Sequence, residues 1–184
     1  MAVSTTGLYR HHRELLDDEA LALLDRGDKP LDFEGLTLVR TVEESMALNT
    51  RGGAAVIMAA SGMCTGGRIV HHLKHHAPKP STHIAIVGYQ SVHTPGRALV
   101  DGARAIFLLG ERVEVRAKVH TLGGFSAHAD QSRLMRWAGN FKDARPRTFL
   151  VHGENGARRA LAGRLQRELG LQVTMPLVGD AAEI

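Results

Sequence analysis

The chain has 184 residues, 43% of them hydrophobic, which is enough to bury a core as one domain or one and a half and excludes a disordered chain. No apolar stretch approaches the ~20 residues needed to cross a bilayer, and the N-terminus lacks the charged-then-apolar pattern of an export signal; no membrane contact is expected and a cytoplasmic setting is the default. A formal charge of +4 and a pI near 9.6 suit an anionic partner, but the excess is too modest to name one.

In chain order, the hydrophobic period switches repeatedly between helix and strand. Residues 3–26 read as a helix with Leu8, Leu15, Leu16, Ala20, Leu23 and Leu24 on one stripe, stopped by Gly27. A strand is predicted over 36–39, a short helix over 43–49, a buried strand over 54–60, a helix over 67–76 and a second buried strand over 83–87. A short helix over 96–101 and a strand over 105–108 follow, then a turn at Gly110-Glu111 into an alternating strand that sets Val113, Val115 and Ala117 against Glu114, Arg116 and Lys118. Beyond it come a helix over 130–137, a break at Pro146, a strand over 148–151, a helix over 156–169 and a strand over 171–174. This order predicts an α/β fold, mostly parallel sheet with flanking helices, with a soft boundary near residue 110.

The single cysteine, Cys64, excludes an internal disulfide and a thiolate-rich zinc cluster, so the eleven histidines and the carboxylates would have to supply any metal ligands. Three constellations can carry chemistry. In the first, a predicted strand ends in the loop Ser61-Gly62-Met63-Cys64-Thr65-Gly66-Gly67 and passes into a basic helix bearing Arg68, His71, Lys74 and His75. Such a loop offers backbone N–H groups to a phosphate with the positive helix end behind them, and Ser61 and Thr65 add hydroxyls. An equally good reading is a glycine turn that packs strand tightly on helix beside a solvated basic face. The string is neither a Walker loop nor G-x-G-x-x-G.

The second is Val87-Gly88-Tyr89-Gln90 at the end of a strand, where open α/β sheets place ligands; a tyrosine there can stack on a base and a glutamine can read its edge, or the ring can simply pack over the sheet. The third is a pair of histidines at element boundaries. His128 stands at the start of a helix and His152 directly after an apolar strand with Gly153 beside it, positions that suit a metal ligand or an acid–base group. No H-x-H-x-D-H or H-E-x-x-H string occurs, so the chain cannot assemble a whole dinuclear site from what it contains.

SGM at 61–63, GGR at 66–68, HHLKH at 71–75, VGYQ at 87–90, GFSAHAD at 124–130 and LVHGE at 150–154 occur in one order. In that order they resemble the C-terminal half of the β-CASP nucleases of the metallo-β-lactamase superfamily. The resemblance runs over nearly the whole chain, including Leu8-Tyr9 and Glu43-Glu44-Ser45. It implies that residues 1–110 are the later part of a β-CASP cap inserted into a metallo-β-lactamase domain, and that 111–184 are the segment returning to that domain. It also implies that His128 matches the motif B histidine, which helps bind the scissile phosphate and protonates the leaving oxygen, with Ser126 able to donate a hydrogen bond nearby and Asp130 capping the helix. His152 matches the motif C histidine, a zinc ligand.

The loop and strand-end chemistry above makes Ser61, Gly62, Thr65, Gly66, Gly67, Arg68, Lys74, Tyr89 and Gln90 the expected RNA or phosphate contacts, with single-stranded RNA as partner and DNA as a second possibility. The family's two zinc ions rest mainly on residues N-terminal to the region matched here. The chain is therefore expected to be a fragment that holds no zinc stably, is inactive alone, pairs with a missing N-terminal half and self-associates through the uncovered face. Two other functions fit the same residues: a non-catalytic nucleic-acid-binding module, and a small α/β protein that binds a phosphate or nucleotide at the 61–67 loop.

Overall fold

The computed structural model describes residues 2–29, 32–125 and 128–182, and the chain divides into two compact units, 1–123 and 124–184.

The first unit opens with helix α1 (Ala2–His11), a 3-10 turn (Arg13–Leu15) and helix α2 (Asp18–Asp25) where periodicity predicts one continuous helix. The break has a local cause: Asp17 takes an extended conformation and its carboxylate accepts from the Ala20 amide at 2.9 Å, so a new helix is nucleated there. Leu8 and Leu15 stay exposed, and no apolar partner forces the two helices into line. Helix α3 (Val42–Ala47) is started by a reciprocal capping box between Thr41 and Glu44, a T-x-x-E signature readable in the sequence.

The predicted strand at 36–39 is irregular, and so is the predicted buried strand at 54–60, where Val56 and Met58 are 87% and 76% exposed. An apolar run becomes a buried strand only when neighbouring strands supply both its hydrogen bonds and its cover, and among the described residues of this unit no strand pairs with it.

The remaining elements form the packed part of the unit. Helix α4 (Arg68–His76) buries Val70 and Leu73, followed by Ala77, against Ile84 and Ile86 of strand β1 (His83–Ile86) and Leu99 of helix α5 (Pro95–Val100). Strands β2 (Ala105–Leu108) and β3 (Glu111–Glu114) form an antiparallel hairpin whose two-residue turn, Leu109-Gly110, has positive φ at both positions (54° and 80°), the requirement of a type I′ turn. Strand β4 (Lys118–Thr121) pairs parallel with β1 in the register His83 to Lys118 and Ile86 to Thr121. The first two strands after residue 110, β3 and β4, thus pair within the first unit.

The second unit carries helix α6 (Gln131–Gly139), strand β5 (Arg147–Phe149), helix α7 (Asn155–Leu169) and strand β6 (Gln172–Thr174). β5 and β6 pair parallel with α7 as the crossover between them, a βαβ arrangement. Met135 and Ala138 of α6 pack with Leu165 of α7 and Leu171. Gly170 closes α7 in the left-handed conformation (φ 66°), with the Leu171 amide reaching back to the Leu165 carbonyl at 3.3 Å. The fold is thus mixed α/β with parallel strand pairs, as the alternation of periods predicts.

Candidate functional site

In the first unit the site is built around the 61–67 loop, which is held from within by its carbonyls. Gly66 O accepts from the Ser61 amide (3.2 Å), Ser61 O from Cys64 N (3.1 Å), Met63 O from Gly96 N at the start of α5 (3.1 Å), and Ala60 O from Ile69 N (3.2 Å). Gly62 O accepts from the Gln90 side-chain nitrogen at 2.9 Å. Cys64, 3% exposed, plugs the loop into the core, and burial pushes its thiol above the ordinary cysteine range. With these carbonyls turned inward, the amides of Gly62, Thr65, Gly66 and Gly67 are the donors the loop can offer an anion. The Ser61 and Thr65 hydroxyls lie 3.2 Å apart at the surface.

Gly67 is the N-cap of α4 with φ 71° and ψ −169°. A Cβ there would stand 2.5 Å from the Ala60 carbonyl oxygen, so the close approach of the 60–61 backbone to the start of α4 admits only glycine.

Several charged and polar candidates are already engaged. The Arg68 guanidinium donates to the Val39 carbonyl at 3.1 Å and the Arg40 carbonyl at 2.7 Å, and Lys74 Nζ donates to Glu111 Oε1 at 2.7 Å. Gln90 is buried; besides Gly62 O, its nitrogen reaches Gly88 O (3.2 Å) and Tyr89 O (3.0 Å), so in this geometry the amide braces the loop and presents no edge to a base. Tyr89, 55% exposed, keeps an accessible ring, and His71 and His75 are exposed on α4.

Sequence reasoning misses a buried polar cluster behind α4. His72 Nδ1 lies 2.8 Å from Asn49 Oδ1 and its Nε2 3.2 Å from Ser45 Oγ. The Asn49 oxygen is an acceptor, so Nδ1 carries the proton and Nε2 accepts from the serine hydroxyl. Burial, then the neighbouring His71, His75 and Arg68 charges, holds the His72 pKa below the usual imidazole range. Ser45 is the one buried residue of α3, so this cluster and Arg68 fasten the 39–49 segment to α4 through polar contacts rather than apolar packing. A serine on one short helix paired with a histidine on another leaves no local pattern in the sequence, because the pairing spans 27 residues.

In the second unit both candidate histidines are exposed and each leads a helix. His128 precedes α6, whose N-cap Asp130 accepts from the Arg133 amide at 2.7 Å; His152 precedes α7, with Glu154 at its N-cap position. Ser126 lies outside the described residues. Gly153 takes φ 109°, a conformation glycine tolerates, where the chain turns from β5 into α7. Arg158, absent from the sequence expectations, braces that turn: its Nη1 donates to Leu150 O and Pro176 O, both at 3.3 Å. Arg164 Nη1 donates to Gln131 Oε1 at 3.1 Å, which sets the start of α6 beside the tenth residue of α7, about 13 Å along the axis from Asn155.

Zinc is the cofactor the family resemblance implies. Among the described residues no group of three or more His, Cys, Asp or Glu side chains could hold a metal ion. A structural or catalytic zinc needs at least three protein ligands, so His152 by itself does not fit the ion.

The Beta-Casp domain family matches residues 1–99, and the Zn-dependent metallo-hydrolase RNA specificity domain family (RMMBL) matches 112–176. Ribonuclease TTHA0252 of Thermus thermophilus is 39% identical over the whole chain, which spans 42% of that protein's length. Transcription termination factor FttA of Pyrococcus abyssi is 38% identical over 127 residues, 66% of this chain and 20% of its own. FttA of Methanocaldococcus jannaschii is 29% identical over 190 aligned residues that take in the whole chain and 30% of the relative. The matched domains and the ordered motifs they contain place this chain in the β-CASP family of metallo-β-lactamase-fold proteins.

Proposed function

We propose that this chain supplies the RNA-holding part of a zinc-dependent phosphodiesterase and is inactive alone. The observation that carries the reading is the 61–67 loop, in which the Ser61, Gly62, Met63 and Gly66 carbonyls accept hydrogen bonds from within the protein, so that amides of the loop and the Thr65 hydroxyl can meet a phosphate. Residues 1–110 are assigned to the later part of the cap and 111–184 to the returning segment. Ser61, Gly62, Thr65, Gly66 and Gly67 grip the backbone of single-stranded RNA, Tyr89 stacks on a base, and Arg68, Lys74 and Gln90 hold the frame while the two cations add field.

His128 is assigned the proton transfer to the leaving oxygen, and its exposure before α6 leaves the ring reachable by a substrate; Ser126 is assigned a hydrogen bond to the same phosphate. His152 is assigned one zinc ligand, with Arg158 bracing its turn. When bound by a complete ligand set, two zinc ions would supply an activated water. The remaining ligands belong to an N-terminal metallo-β-lactamase half, and the apolar surface that half would cover, Val56 and Met58 included, drives self-association of the isolated chain.

Fluorescence anisotropy of a labelled single-stranded RNA tests the binding step. Saturable binding that falls steeply with salt is expected, and no binding at low salt refutes it. Metal-dependent cleavage of the same RNA by the purified chain refutes the inactivity. Thermal stabilisation by mononucleotides and not by RNA would favour the small-ligand reading of the loop.

A further inference from the structure

Helix α6 is apolar on two sides. Met135 and Ala138 are buried against Leu165 and Leu171, yet Trp137 is 65% exposed and meets the Phe141 ring edge-on, centre to centre at 5.0 Å. Arg133 stands four residues before Trp137 and Phe141 four residues after it, the spacing that brings side chains onto one face. A guanidinium, an indole and a phenyl ring therefore follow one another along the solvent side of α6 and its C-terminal turn. Arg136, Lys142 and Arg145 are exposed around them, and from Gln131 to Arg147 five cations stand against one carboxylate, Asp143.

A patch made for another protein can share the aromatic rings and arginine, but lysine is disfavoured there and charge is depleted at its centre. Here aromatic rings and cations alternate, which complements a strand of unpaired bases on a phosphate backbone. We propose that Arg133, Trp137 and Phe141 form a stacking platform for single-stranded RNA, with an unpaired base on the open face of the indole and phosphates beside Arg133 and Lys142. The proposal rests on the RNA-binding reading and deepens it by adding a contact outside the 61–67 loop and the two helix-leading histidines.

Trp137 is the sole tryptophan of the 184 residues, so its emission reports on this platform alone. A labelled single-stranded oligonucleotide is titrated into the full chain at low salt while tryptophan emission and label anisotropy are followed together. Both are expected to saturate at the same RNA concentration, with the emission quenched. A duplex of equal length should quench far less. Trp137→Ala, at an exposed position and checked by circular dichroism, should weaken the anisotropy-measured affinity about tenfold. Arg133→Ala should lower the salt slope by about one.

Anisotropy that saturates with unchanged emission and an unaffected Trp137→Ala variant would overturn the platform and leave RNA binding at the loop intact. Absence of any anisotropy change would overturn both. Emission that shifts with protein concentration in the absence of RNA, and is insensitive to added RNA, would assign the stripe to contact between copies and overturn the proposal.

Discussion

Gly67→Ala puts the frame of the phosphate loop under a quantitative test. At φ 71° and ψ −169° the residue occupies a region essentially reserved for glycine, and forcing an L side chain into it costs about 1–3 kcal/mol. The new Cβ would also stand 2.5 Å from Ala60 O, 3.1 Å from Ala60 C and 3.2 Å from Ser61 N. All three are backbone atoms, so no side-chain rotation relieves the clash, and the 60–61 backbone must move away from α4. A total of about 3 kcal/mol follows, and at a urea m-value of about 2 kcal/mol/M the midpoint should fall by about 1.5 M. Gly66→Ala is the matched control. Nothing lies within 4 Å of a Cβ at Gly66, so the substitution should change the midpoint little. RNA affinity should follow the same split, lost at 67 and largely kept at 66. Equal midpoints for the two variants would refute the reasoning.

The pH dependence of stability should carry the mark of His72 and His76, whose pKa values are both held down chiefly by burial. Below about pH 6.5 the unfolded chain takes up protons that the folded chain refuses, so stability falls as pH drops from there and levels off once the lowered folded pKa values are passed. Urea midpoints between pH 7.5 and 5 should show this slope, and His72→Gln should flatten it; an unchanged slope would remove His72 as its source. Cys64, 3% exposed with its thiol pKa raised, should resist a thiol reagent in the native protein and react on unfolding, whereas fast native labelling would contradict the plugged loop. Sedimentation should show an average mass that rises with concentration, and a concentration-independent monomer would count against self-association through the exposed apolar segments.

Legibility from sequence followed how local each cause is. Helix α4, strand β1, helix α5 and the β2–β3 hairpin are readable because their periodicity and punctuation lie within a few residues, although α5 starts at Pro95, one residue before the predicted 96, and the hairpin turns at Leu109-Gly110, one residue before the predicted Gly110-Glu111. The single helix predicted over 3–26 failed at Asp17, where a side-chain cap outcompetes a stripe that nothing buries. The 54–60 segment failed for a longer-range reason. Its apolar run encodes a demand for cover, and among the described residues no strand meets that demand. At the site, residue types were legible and partners were not. Gln90 reads as a base-recognising amide, and only the fold reveals that its nitrogen is spent on Gly62, Gly88 and Tyr89 carbonyls.

Arg68 brings this distinction to a measurement. A guanidinium at the start of a helix behind a phosphate loop invites assignment as an anion ligand, yet both of its terminal nitrogens donate to carbonyls of the 39–40 segment. The same segment is tied down by Glu44, whose carboxylate accepts from the Arg40 and Thr41 amides, and by the Ser45–His72–Asn49 cluster, so Arg68 belongs to a polar fastening in which each member leaves a polar group stranded when its partner goes. Hydrogen bonds from a charged donor contribute about 1.5–3 kcal/mol, and Arg68→Met, which keeps the stem and removes the fork, should destabilise the chain by about that much. Its effect on the salt dependence of RNA binding should be small, because a cation held on two carbonyls releases few counterions when a phosphate arrives. Measured side by side, Arg68→Met should lower the urea midpoint and keep the salt slope. The reverse pattern, an unchanged midpoint with a slope reduced by about one, would return Arg68 to direct phosphate contact and leave the 39–49 segment fastened by His72 alone.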